Sequence, residues 1–243
     1  MLFRANKRIL DEAELMDVSL DEGESLRGLI HPREGLLLYM LARRAAQIGP
    51  AVEIGAYLGK STWYLARGLM DAGSPHRVIT IDPFPGNHFD LFRRELAARH
   101  VLEHVDARVG LSHEVVKNVD EPVGLLWIDG DHAYGSVRRD FEEWFPKLAP
   151  GGWLALHDTV NAWEGPTRLV RELFPRRDDL REVGVVHITT YAKKARSAPA
   201  NHISGLRGRV GFELLTIAQA RHAGLHPQSR DSWPRSYSSQ IGR

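Results

Sequence analysis

The 243-residue chain has no cysteine. That excludes disulfides, thiolate metal ligands and a cysteine nucleophile, and it favours the cytosol over an oxidising compartment. Long apolar runs are lacking as well. The longest near the start, Gly35–Ala42, falls far short of the roughly 20 residues that cross a bilayer. Met1–Leu10 carries basic residues without the apolar core of a signal peptide. A cytoplasmic protein with no membrane partner is expected. Net charge is nearly absent, at +1, but it is unevenly spread. From Lys193 to Arg243 nine Lys/Arg stand against Glu213 and Asp231, so that segment is +7 and the remainder −6. Asp11–Glu24 holds seven acids and no base. A basic segment can contact nucleic acid, but no recognition motif accompanies this one, so that partner is disfavoured. Pairing with the acidic arm of the same or a second subunit is the simpler use, and it leaves a homo-oligomer open.

What is present is alternation of short apolar strands and amphipathic helices, the signature of an α/β fold with a parallel sheet. Hydrophobic content of 43% and charged content of 26% suit one globular domain with appendages. Pattern and turn residues divide the chain into an N-terminal arm and helix (1–48), a core (49–194) and a C-terminal helix with a basic tail (195–243). Strands are expected at Ala51–Ile54, Val78–Ile81, Asp106–Val109, Gly124–Ile128 and Trp153–Leu156, with one or two more in Glu182–Lys193, where Gly184 could turn. Helices are expected to begin at His31-Pro32, at Lys60–Met70 and Phe89–Glu103, after His132, at Pro166–Phe174 and over Val210–Ala223. Pro150-Gly151-Gly152 should end the helix that carries Val137, Phe141, Trp144, Phe145 and Leu148 on one face. Leu225–Arg243 has no periodicity and reads as a tail.

The chemistry gathers around the segment 124–159, GLLWIDGDHAYGSVRRDFEEWFPKLAPGGWLALHDT. Two parallel strands joined by a helix leave the same sheet edge, about 4.8 Å apart if they are neighbours. Asp129 and Asp158 then stand side by side where open α/β sheets bind ligands. Acids so placed repel unless a cation or proton lies between them. Each taken alone could instead cap a helix, but Asp129, Asp131, His132, His157 and Asp158 together point to a site. Upstream, Glu53 on the first strand runs into Gly55-Ala56-Tyr57-Leu58-Gly59, a turn that lets a ligand approach the backbone and a helix N-terminus. The turn is one residue short of a P-loop, and Tyr57 breaks the G-x-G-x-x-G dinucleotide pattern. Asp82, at the tip of the second strand, is placed to accept ribose hydroxyls. Gly110-Leu111-Ser112 follows the third strand and could line an adenine pocket.

VEIGAYLGKST, ITIDPF and the segment above together resemble the class I S-adenosylmethionine-dependent methyltransferases. They resemble in particular the branch with an I-D-G-D-H-x-Y signature, which includes metal-dependent sugar O-methyltransferases and cephalosporin hydroxylase-like proteins. The resemblance covers roughly Glu53–Lys193. It implies a Rossmann-like fold: a seven-stranded, mostly parallel sheet with helices on both faces and one reversed strand. It implies S-adenosylmethionine bound by Glu53, Gly55, Ala56, Tyr57, Gly59, Ser61, Thr62, Asp82, Gly110, Leu111, Ser112 and Asp129. It implies Mg²⁺ or Mn²⁺ held by Asp129, His157 and Asp158. Sugar-modifying relatives usually carry two acids at the last two positions, where this chain has His157-Asp158, and imidazole is a common ligand. Asp131 or His132 matches the catalytic base. The expected reaction is methyl transfer to a hydroxyl of a small molecule, a sugar, oligosaccharide or glycoside. The alternatives are an oxygenase of the cephalosporin hydroxylase type, since His132, His157 and Asp158 could mimic a two-His, one-carboxylate iron site, and a non-catalytic subunit that keeps the fold.

Overall fold

In the computed structural model, residue 9 and residues 19–160 and 162–196 are described. The expected helix over Val210–Ala223 and the tail Leu225–Arg243 lie outside them. Seven strands form one sheet: β1 (Ala51–Ile54), β2 (Val78–Asp82), β3 (Val105–Val109), β4 (Val123–Ile128), β5 (Leu148–Leu156), β6 (Leu180–Val186) and β7 (Thr189–Lys194). Their order is β3-β2-β1-β4-β5-β7-β6. β1 to β5 are parallel, and β7 runs antiparallel to both β5 and β6. β1 is central, which is why Ala51–Ile54 is buried along its whole length.

Alternation along the strands sorts side chains between two cores. Ala51, Val78, Leu125, Trp127, Trp153 and Ala155 face one, with helices α1 (Pro32–Ala45), α2 (Lys60–Asp71) and α3 (His88–Ala97) packed over them. Val52, Ile79, Leu126, Ile128, Leu154 and Leu156 face the other, under α4 (Tyr134–Trp144) and α5 (Glu164–Leu173). The helix at His31-Pro32 forms as its sequence dictates. The His31 side chain accepts from the Arg33 N–H, Pro32 fits the first turn, and Glu34 returns to the His31 N–H. Among the described residues no helix is long and apolar enough to cross a membrane.

Two local expectations are corrected. Pro150-Gly151-Gly152 does not close the helix. That falls to the 3-10 turn Phe145–Lys147, and the three residues lie inside the long strand β5, with Gly151 at φ +88°. Gly184 is not the turn between the last strands. It sits within β6, next to a register shift between Arg181 and Gly184, and the chain turns at His187 (φ +54°) and Ile188.

The contact between α1 and α2 is set by backbone approach. A Cβ on Gly68 would lie 2.4 Å from the Tyr39 carbonyl oxygen and 2.9 Å from the Ala42 Cβ. Gly68→Ala must therefore push the two helices apart. It is expected to destabilise the protein by about 1–3 kcal/mol, read as a fall in midpoint in urea or thermal unfolding with an unchanged far-UV spectrum.

Candidate active site

The parity that sorts the cores also assembles the site. Glu53, Asp82, Asp129 and His157 continue the α1-side alternation of β1, β2, β4 and β5 at their carboxyl ends. The ladder extends past the strands to hold them: the Asp129 N–H donates to the Ile54 carbonyl at 2.8 Å and the His157 N–H to the Ile128 carbonyl at 3.0 Å. Asp158 is the exception in conformation. Its φ of +56° turns the chain out of the strand and brings its carboxylate back to its neighbours.

The turn after β1 is built on two glycines at φ +91°. A Cβ on Gly55 would sit 2.1 Å from the Asp129 carbonyl oxygen, so the turn and the end of β4 touch through their backbones. Asp82 organises the same turn. Its Oδ2 accepts the N–H groups of Ala56 at 2.9 Å and Tyr57 at 3.0 Å, and its Oδ1 accepts that of Phe84 at 2.6 Å. Asp82 therefore shapes the loop from its own strand tip. Gly110 (φ +152°) donates to the Asp82 carbonyl, and Leu111 is 38% exposed beside it. Ser61 is buried at the start of α2. The Ser112 hydroxyl donates to Asp140 of α4, whose carboxyl burial pushes up to about 6 against that bond.

Glu53 is wholly buried. Its Oε2 accepts the hydroxyls of Thr62 and Thr80, each at 2.5 Å, while its Oε1 has no partner. Burial pushes its carboxyl up to about 7. A buried carboxylate oxygen left unpaired is costly, and a cationic group would satisfy it.

At the acidic edge His132, expected as a base, stands beside Asp129 and Asp158, and His157, expected as a ligand, lies behind them. One ligand atom each from Asp129, His132 and Asp158 lie within 4.8 Å of one another, a group able to hold a metal ion. His132 Nε2 is 2.7 Å from Asp158 Oδ2, and its ring stacks on Trp163 at 4.6 Å between centroids. His157 lies outside that group and beneath it, only 5% exposed. Its Nδ1 is 3.1 Å from Asp129 Oδ1 and 3.2 Å from Asp158 Oδ2, and its Nε2 is 3.3 Å from Glu34 Oε2. Both ring nitrogens are thus occupied by carboxylates. Burial works against the imidazolium, but Asp129 and Asp158 raise its pKa well above the ordinary value. Burial likewise opposes charge on Asp158, yet His157 and His132 hold it well below the carboxylate range, whereas burial prevails at Asp129 and raises it. Asp131 is drawn elsewhere: it accepts the Ala133 N–H at 3.2 Å and the Ser136 hydroxyl at 2.7 Å at the start of α4.

Two acids of the site were not expected, Glu34 and Asp140. His31-Pro32 signalled a helix start, but nothing local announced that Glu34, in its first turn, meets His157.

The parallel sheet order with one reversed strand, the glycine turn over β1 and the acid at the tip of β2 define the class I S-adenosylmethionine-dependent methyltransferase fold. Residues 52–159 match a family described as a methyltransferase domain. Solved structures of similar fold include the O-methyltransferase TomG of Streptomyces achromogenes, involved in tomaymycin synthesis and bound to S-adenosylmethionine (TM-score 0.59, 19% identity, 80% of this chain and 98% of that one). An O-methyltransferase from Bacillus cereus in complex with S-adenosylhomocysteine is similar too (TM-score 0.59, 18% identity, 80% and 100%). The Sinorhizobium fredii protein y4gI, itself uncharacterized, is 29% identical over 116 residues. That match covers 44% of this chain and only 13% of that protein's length.

Glu53 gives a pH test. Its folded pKa of about 7 stands above the ordinary glutamate value of 4.5, so its contribution to stability is full below about pH 4.5 and is lost as pH rises through 7. Glu53→Gln removes that loss. The variant is expected to exceed the ligand-free wild type above pH 7 by an amount on the order of 3 kcal/mol. The difference should vanish below about pH 4 in chemical denaturation, while the variant binds S-adenosylmethionine at least tenfold more weakly in calorimetry.

Proposed function

We propose that the protein is an S-adenosylmethionine-dependent O-methyltransferase acting on a hydroxyl of a small molecule, with a divalent cation at the acidic edge. The observation that carries this reading is the meeting of Asp129, His132 and Asp158 beside the glycine turn, in backbone contact with it through Gly55 and Asp129. The turn, Asp82 and the unpaired Glu53 oxygen suit a donor that bears ribose hydroxyls and cationic groups. Two carboxylates and one imidazole make an oxygen-rich set suited to Mg²⁺ or Mn²⁺. A cation bound there would lower the pKa of an acceptor hydroxyl. The methyl leaves sulfur for oxygen, giving S-adenosylhomocysteine and a methyl ether, and the hydroxyl proton passes to a base. The sugar or glycoside class rests on the resemblance of Ile128–Tyr134 to sugar-modifying enzymes.

A second reading is favoured by one distance. With Nε2 of His132 held 2.7 Å from Asp158, its Nδ1 is left to take a proton, and the Asp158–His132 pair can act as general base without metal.

Labelled donor over a panel of hydroxylated acceptors separates the two. On the metal reading, excess chelator abolishes transfer and Mg²⁺ or Mn²⁺ restores it. Asp158→Asn then lowers metal affinity at least tenfold with donor affinity within twofold of wild type. Full transfer in chelator, with His132→Ala losing 10²-fold or more in kcat, establishes the metal-free base instead.

A further inference from the structure

The N-terminal helix α1 contributes one buried acid to the rear of the site. Glu34 has no exposed surface, and its carboxylate joins three separate parts of the chain. Oε2 accepts the His31 N–H at 3.1 Å and faces His157 Nε2 at 3.3 Å and His187 Nδ1 at 3.4 Å. Oε1 accepts the Thr189 hydroxyl at 2.7 Å and the Ile188 N–H at 3.3 Å. A helix cap needs only the first of these contacts. The others fix a carboxylate behind an imidazole whose opposite nitrogen lies between Asp129 and Asp158.

We infer that Glu34 is a positioning residue: by holding the His157 ring from behind, it sets the placement of the Asp129 and Asp158 carboxylates at the front. The consequence for cation binding rests on the metal reading above; the positioning itself does not. The two nitrogens of an imidazole are bonded to one shared carbon of a rigid planar ring, so their relative place and their divergent directions are fixed. If Nε2 is anchored, the place of Nδ1 is fixed to within the slack of one hydrogen bond. Nδ1 is shared between two oxygens at nearly equal distance, 3.1 and 3.2 Å, so its place sets how far apart they stand. The geometry of a site carried by β4 and β5 is in this way governed from α1, about a hundred residues earlier in the chain.

The test uses the full chain and two variants. Glu34→Gln keeps the size and removes the charge; Glu34→Asp keeps the charge and withdraws it by one methylene, so one serves if the other does not fold. Intact donor affinity in calorimetry identifies a folded sample. In the absence of metal, the side-chain carboxyl ¹³C signals of Asp129 and Asp158 are expected to shift in either variant. They should not shift further when Glu34→Gln is added to His157→Gln, since Glu34 acts through that ring. Mn²⁺ affinity, read by electron paramagnetic resonance, is expected to fall at least tenfold in the single variants with donor affinity within twofold. Unmoved carboxyl signals, or a Glu34→Gln effect that persists in full without His157, overturn the inference. If the wild type binds no Mn²⁺ while the signals move as expected, the metal reading falls and the positioning role stands.

Discussion

Three carboxylates, from Glu34, Asp129 and Asp158, converge on one buried imidazole, and the rest of the site depends on that balance. Like charges gathered out of water repel strongly, and each alone would carry a desolvation cost. His157 offers a donor to either side and so allows acids from α1, β4 and β5 to share a small volume. One imidazolium cannot neutralise all three acids in their ionised form, and burial resists that charge most at Asp129. The edge is therefore both held together and electrostatically unsatisfied, which is the condition of a site that binds something cationic or gives up a proton.

Much of this was legible in the chain. Buried parallel strands announce themselves as short uncharged apolar runs, and those ending in Glu53, Asp82 and Asp129 are where they were expected. The glycine turn after Ile54 was readable because only glycine comfortably holds φ +91° against a carbonyl 2.1 Å from where a Cβ would be. Alternation alone would also have placed His157 on the face of Trp153 and Ala155. What the strand pattern does not carry is which helix covers that face, so the partnership with Glu34 stayed hidden. The left-handed turn at Asp158 was equally invisible: neighbouring strand residues should point to opposite faces, and one unusual φ turns the Asp158 carboxylate back onto the ring of its own neighbour, His157.

The misread turns have a common cause. Pro150-Gly151-Gly152 is a breaker by composition, yet helix α4 had already been ended by Pro146 in a 3-10 turn, leaving the glycines to begin a strand. Gly184 was read as a turn because glycine in a strand is often one; it marks an irregular register instead. Local composition says that something changes there, and the tertiary pairing decides what.

The two outer strands of the sheet show how such a structure stays a single unit. At one edge, β3 presents Asp106 and Arg108, paired at 2.8 Å, where a foreign strand would have to dock. At the other, β6 is broken by its register shift, with Glu182 at φ +48°. A sheet whose free edges carry charge on one side and a kink on the other is a poor template for strand addition. The seven strands are thereby protected from growing into an intermolecular aggregate, and copies of the chain that meet are steered away from joining edge to edge.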